Sequence, residues 1–421
     1  MNAIPLSLYE HDVNHVPRLR RGAGDAANAR FLVQFGGQGN AFLPELTRLY
    51  AENELLRPFF AMCFDAVRDV QARPDVREVA GRCYPYGFEL RDWLRERNVP
   101  PESSLFECPI SFPGNTISQL ALLYLISRCG YPLSELGRQT IATTGHSQGI
   151  VAATVFAQTA RDYPDEGSAS DDFLQISYDW LVWFCMAGVY IKSEYAAPAF
   201  SPTDLEDDAI NAGVPTPMAV VFGPTSETIA TWIADFNEAM AATNEICLAL
   251  RNSPTVHVIA GHAVDLCRFR RRYSLEFATA NYDWEYLPVS APFHCGSHLR
   301  TISQRFARDA AYTSLNYRTQ DIYVPIVSFV DGEIIPGASS LVDRLSEMLF
   351  HQPLDWYRML GAIESHTPSL THVIDLGPGR TSAALTGKFF ADAKANDLTA
   401  RETAVELISL NRAAGLKRFL A

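Results

Sequence analysis

Two hydrophobic rhythms alternate along this chain. Short runs rich in apolar or β-branched residues, with the character of strands, occur at Arg30 to Phe35, Gln139 to Thr144 and Val373 to Leu376. Longer stretches repeat apolar residues at helical spacing. Leu43 to Val70 carries Leu46, Leu49, Tyr50, Leu55, Phe59 and Phe60 on one stripe, which predicts a helix. Ile117 to Ile126, Ile150 to Ala157 and Phe173 to Tyr190 are apolar almost all round and predict buried helices, with a short helical piece around Leu90 to Leu94. Pro164 to Asp172 reads as a polar loop, and the Pro- and Asp-rich stretch Ala196 to Val214 as a hinge.

Between residues 215 and 290 the rhythm changes. Strands are predicted at Pro217–Phe222, Cys247–Leu250, His257–Gly261 and Glu285–Val289, with helices at Ser226–Met240 and His262–Arg272. That β-α-β-β-α-β order is the split unit of a ferredoxin-like subdomain. The expected organisation is a lead-in at 1–29, a core made of 30–214 and 291–400, the inserted subdomain at 215–290, and a C-terminal linker segment at 401–421. The tail from Ile408 reads as a cut point in a longer polypeptide.

Composition narrows the class. Hydrophobic residues make up 48% of the 421 positions and charged residues 20%, as expected of a globular protein with a substantial core. The net charge of −13 argues against a nucleic-acid partner. No apolar run approaches the roughly 20 residues of a membrane span, and the N-terminus lacks a signal-peptide layout. The eight cysteines show no C-x-x-C pair and no zinc spacing, so a reduced, cytoplasmic setting is expected rather than a disulfide framework. No metal and no bound cofactor are expected.

The chemistry centres on Gly145-His146-Ser147-Gln148-Gly149, a G-x-S-x-G set between a predicted strand and a predicted helix. This is the pattern of a nucleophile elbow, in which glycines permit a sharp turn that presents the serine at a helix N-terminus. A serine hydroxyl needs a base. Among ten histidines, His294 stands out, because Ser290-Ala291-Pro292-Phe293 brings a strand to a rigid end just before it. His257 reads as structural, and His146 adjoins the serine on a turn where neighbours rarely face each other. Gly36-Gly37-Gln38-Gly39-Asn40 follows the first strand without the Lys-Ser/Thr of a phosphate loop, leaving a turn able to aim backbone N–H groups at an oxyanion.

Six motifs in one order carry a resemblance. They are Phe35 to Asn40, Ser111 to Ala121, Gly145 to Ile150, Asn252 to Gly261, Ala291 to His294, and Asp375 to Gly379. Together they resemble the acyl-carrier-protein transacylases. The similarity is to the acetyltransferase domain of the fungal fatty acid synthase beta subunit and to the starter-unit transacylase domains of fungal non-reducing polyketide synthases. It runs from about residue 30 to 385. The first motif begins by residue 35 without the folded segment that precedes it in the synthase, which favours the polyketide starter domain.

The resemblance implies an α/β fold: an α/β-hydrolase-like large subdomain with an inserted ferredoxin-like small one, the malonyl/acyl transferase fold. It implies Ser147 as acylated nucleophile and His294 as base, oriented by a main-chain carbonyl. The N–H groups of Gln38 and Gln148 would form the oxyanion hole, and Asp375 would be structural. Asn252, His146, Trp183 and Ala187 would line the acyl site. Malonyl transferases of this kind carry an arginine where this chain has Ala187, so a neutral acyl group, acetyl or longer, is expected. It would arrive on CoA or from a partner synthase and leave on the phosphopantetheine of an acyl carrier protein, to prime the downstream ketosynthase. Arg268, Arg270, Arg271 and Arg272 are a candidate docking patch for that acidic carrier. An esterase or thioesterase, a fatty acid synthase acetyltransferase and a non-catalytic scaffold remain as alternatives.

Overall fold

The computed structural model describes residues 29–39, 41–198, 214–240, 245–309, 321–336, 340–395 and 404–420. The lead-in before residue 29 and most of the expected hinge at 196–214 lie outside these residues. Among the described residues no helix is long and apolar enough to cross a membrane.

Four parallel strands form the central sheet. β1 (Phe31–Phe35) lies between β2 (Thr140–Gly145) and β8 (His372–Asp375), and β9 (Glu406–Ser409) pairs outside β8. β1 is buried along its whole length, as a strand covered by helices on both faces must be. The two chain turns that leave the C-terminal ends of β1 and β2 are neighbours, so the glycine-rich segment and the elbow meet there. In open α/β sheets this edge is where ligand sites form.

The inserted subdomain has its own sheet. β3 (Met218–Phe222), β4 (Cys247–Ser253), β5 (Val256–Ala260) and β6 (Asp283–Tyr286) are ordered β6-β3-β5-β4, all antiparallel, the ferredoxin-like arrangement expected from the rhythm. Period-two alternation decides how it is mounted. Met218 and Val220 join the main core, while Ala219 and Val221 face the other way, into a small core with Ile229, Leu266 and Phe269. One face of the subdomain therefore rests on the large one. A short strand of the large subdomain, β7 (Leu354–Asp355), adds to β4 in parallel and stitches the two together.

The structure corrects several expectations. The stripe from Leu43 to Val70 is two helices, Leu43–Glu52 and Arg57–Ala72, split by a 3₁₀ turn. Pro58 lacks an N–H for a helical bond and so sits in a first turn. The polar stretch after Pro164 is already helix from Glu166: Asp165 caps it, with Oδ1 accepting from the Ser168 N–H at 2.8 Å, and the helix runs to Glu194. Another helix, Pro74–Cys83, lies in a region that showed only mixed character. The segment 401–421 is no linker where it is described. β9 completes the sheet, and Phe419 on the last helix is fully buried against Tyr131 and Phe31.

One pair departs from the reduced-cysteine expectation. Cys247 at the start of β4 and Cys295 next to His294 form a disulfide with Cα atoms 5.8 Å apart. A separation of 48 residues and two subdomains hides such a pair from any spacing rule. The other six cysteines are free and buried.

Candidate active site

Ser147 leaves β2 with φ of 52°, in the left-handed region that side chains with a Cβ avoid. The turn holds because its flanks are stripped of side chains. A Cβ at Gly145 would collide with the Gly149 carbonyl group, and one at Gly149 with the Phe35 carbonyl oxygen. The helix Gly149–Thr159 starts at once, so Ser147 sits at its N-terminus.

Across the site Ser147 Oγ lies 2.7 Å from His294 Nε2. The other ring nitrogen, Nδ1, is 2.9 Å from the carbonyl oxygen of Gln352. A carbonyl only accepts, so Nδ1 carries the proton and Nε2 presents its lone pair to the serine hydroxyl. Gln352 stands just ahead of β7, and the His294 N–H donates to Phe350 O at 3.0 Å, so one segment holds the base at both ends. His294 itself has φ of 61°. It is only 2% exposed, and burial pulls its pKa from 6.5 to about 4, the Gln352 carbonyl opposing and neighbouring His146 adding to the fall. The imidazole is therefore neutral and able to take a proton at neutral pH.

Two backbone amides stand on the turns that flank the serine, Gln38 after β1 and Gln148 after β2. Among the described residues neither the Gln38 nor the Gln148 N–H has an acceptor in the chain. Gln148 is the N-cap of the elbow helix, where helical N–H groups point outward. The Gln38 side chain anchors its loop, Nε2 donating to Phe106 O at 2.9 Å and to Ser111 Oγ at 2.8 Å. Gln119, two turns further along the helix Cys108–Arg128, donates from Nε2 to the carbonyl oxygens of Gly36 at 2.7 Å and Gly377 at 2.5 Å. It ties the loops after β1 and β8 together.

The remaining expected residues separate into groups. His146 Nε2 and Asn252 Oδ1 are 2.9 Å apart, so these two meet each other beside the serine. Trp183 lies in an aromatic row, stacked on Phe184, which stacks on Phe112 at 4.4 Å; Phe112 in turn touches Phe293, the residue before the base. Ala187, one turn beyond Trp183, is 1% exposed in the same helix. Asp375 is structural in its contacts: its carboxylate accepts from Gln34 at 2.8 Å, Ser382 at 2.9 Å and Ser409 at 3.0 Å. The arginines stand apart. Their helix, Ala263–Arg272, buries Leu266, Cys267 and Phe269 in the small core; Arg268, Arg271 and Arg272 are exposed and Arg270 is half-buried. Arg268 pairs with Asp265 at 3.2 Å.

Sequence reasoning missed Gln352, Gln119 and Trp356. Gln352 acts through its backbone carbonyl, which carries no residue-type signal. Gln119 lay within a quoted motif, and a polar residue on an otherwise apolar helix was the signal available. No cluster of residues able to hold a metal occurs among the described residues.

A serine on a strained elbow beside a histidine held by a main-chain carbonyl, mounted on this pair of subdomains, is the arrangement of an acyltransferase fold. The chain belongs to the family described as "Starter unit:ACP transacylase in aflatoxin biosynthesis", whose model matches residues 33–294. It is similar to the fatty acid synthase subunit beta of Gibberella zeae, 29% identical over 378 residues, covering 86% of this chain and 17% of that protein. It also matches fatty acid synthase beta subunit aflB of Emericella nidulans, 27% identical over 390 residues, covering 87% of this chain and 17% of that protein. The chain thus spans under a fifth of the length of these curated relatives. Among solved structures, the acyl carrier protein S-malonyltransferase of Vibrio cholerae superimposes with a TM-score of 0.60 at 19% identity, covering 92% of this chain and 99% of that one. A malonyl-CoA:acyl carrier protein transacylase of Coxiella burnetii gives 0.62 at 18% identity, covering 93% and 98%.

Proposed function

We propose that this chain moves a neutral acyl group, acetyl or longer, from CoA or a partner carrier onto the phosphopantetheine thiol of an acyl carrier protein, as the starter step of polyketide synthesis in the cytoplasm. The observation that carries the reading is the Ser147–His294–Gln352 chain of contacts beside two free amides. His294 Nε2 takes the hydroxyl proton as Ser147 Oγ attacks the thioester carbonyl, and the Gln38 and Gln148 N–H groups receive the oxyanion. The C–S bond then breaks and the proton passes to the departing thiolate. In the second half the carrier's thiol gives its proton to His294, attacks the serine ester, and Ser147 leaves reprotonated. Losing one oxyanion donor typically costs about 10²–10³ in rate.

Selection against malonyl rests on Ala187. Its helix neighbours Trp183, Phe184 and Met186 are buried and carry no full charge, so a free carboxylate would be desolvated without a guanidinium to pair with. The carrier would dock on the arginines of Ala263–Arg272, beside which Leu275 is 74% exposed and offers an apolar contact.

Intact-mass measurement tests both parts. Acetyl- and hexanoyl-CoA should acylate the protein quickly and malonyl-CoA slowly, with no adduct on Ser147→Ala. Added holo-carrier should clear the adduct much faster than water does. Equal acylation by malonyl-CoA would remove the neutral-acyl assignment, and clearance by water at the carrier's rate would make the protein a thioesterase.

A further inference from the structure

The two oxyanion amides belong to different loops, Gln38 after β1 and Gln148 after β2, and something must hold the gap between them to within tenths of an ångström. Strand pairing reaches only as far as Phe35 and Gly145, with one further bond from the His146 N–H to Phe35 O at 2.8 Å. Gly149 packs on the Phe35 and Gly36 carbonyls, and next to Gly37 the packing is by His146. A Cβ placed on Gly37 would come within 2.8 Å of the His146 carbonyl oxygen and 2.9 Å of its Nδ1. The imidazole thus lies directly against the loop that carries Gln38. The ring also meets Trp356, ring centroids 5.1 Å apart and tilted, and its Nε2 meets Asn252 Oδ1.

We propose that Asn252 and His146 are a positioning pair. A hydrogen bond across the subdomain junction pins the ring against Gly37 and so sets the spacing of the Gln38 and Gln148 amides. Both side chains are 8% exposed, and their polar atoms are turned on each other rather than outward to an acyl group. Burial lowers the His146 pKa and keeps the ring neutral, so it carries one N–H; with an amide oxygen as partner that proton sits on Nε2. The strand supplying Asn252 is well placed for this work. β4 pairs with β7 through Leu250 and Leu354, Arg251 meets Asp355 at 3.5 Å, and Gln352 lies just upstream. One strand of the small subdomain therefore steadies the base through β7 and the oxyanion loop through Asn252.

The inference rests on Ser147 as nucleophile. The test uses acylation kinetics beside the rate at which a fluorophosphonate labels Ser147, a reaction that needs the same oxyanion donors and no acyl-CoA specificity. Asn252→Ala and His146→Ala should each lower kcat and the labelling rate about tenfold or more, with KM for acyl-CoA within about twofold. The double variant should be no slower than the slower single, the signature of coupled residues. His146→Gln, whose amide nitrogen reaches the place of Nε2, should recover most of the rate, and the shorter His146→Asn should not. Additive losses, or a raised KM with unchanged kcat, would make the two side chains independent substrate contacts and overturn the pair. Should Asn252→Ala fail to fold, the Gln and Asn variants of His146 decide the matter alone: equal rates would sink it. If labelling follows the expected order while no acyl-CoA is accepted, the pair stands and the proposed substrate falls.

Discussion

His294 joins a Ser147 contact, a main-chain acceptor and near-complete burial in one side chain, and these set its working range. Burial disfavours the imidazolium, so the base titrates near pH 4 instead of near 6.5. It must be neutral to accept the serine proton, so activity falls on the acid side only as pH drops through that value. The acid limb of kcat/KM for acylation is expected near pH 4, read from initial rates between pH 3.5 and 8. A limb at 6.5 would place His294 in water. Two positive-φ residues facing each other, Ser147 and His294, also mean that strain at each, about 1–3 kcal/mol, is held by the surrounding packing.

At the scale of elements, the C-terminal strand and helix matter more than their sequence suggested. β9 supplies the outer pairing for β8, the strand whose end carries Asp375 and the Gly377 turn bonded to Gly36 and Gln119. Phe419 closes the bottom of this sheet against Tyr131. Phe419→Ala should cost about 3–5 kcal/mol of unfolding free energy, measured by denaturant melts. A linker would lose nothing. The same scale explains the readings that failed. Pro58 split a continuous stripe, and Asp165 began a helix inside a polar run, because a cap residue looks like loop composition until its N–H partners are known.

For the whole molecule, titration follows from how many imidazoles the fold buries. His146, His257, His262, His294, His298, His351 and His372 all have lowered pKa values with burial as the main cause. Each binds a proton near pH 6.5 in the unfolded chain and resists it in the fold, so the stability they contribute is complete above 6.5 and is lost as pH falls through their lowered values, which for His262 and His294 lie at about 4. Glu45, raised to about 7 by burial, and Asp375, also raised by burial, work the other way, since the fold favours their protonated forms and gains as pH falls. The histidines outnumber them. Urea midpoints should therefore drop between pH 6.5 and 4, and a midpoint unchanged across that window would contradict the burial of these rings.

Local patterning was enough for the parts whose physics is local. Most strand and helix periods, the elbow glycines and the serine read directly from spacing, because each depends on residues within a few turns of one another, and the ferredoxin-like order followed from stringing such elements together. Tertiary structure alone decided the rest. Gln352 acts through a carbonyl that every residue owns, Cys247 finds Cys295 across two subdomains, Asn252 finds His146 across the same joint, and β9 is a strand because β8 offers it an edge. These are contacts between distant segments, set by packing and register, and no local pattern of side chains encodes them.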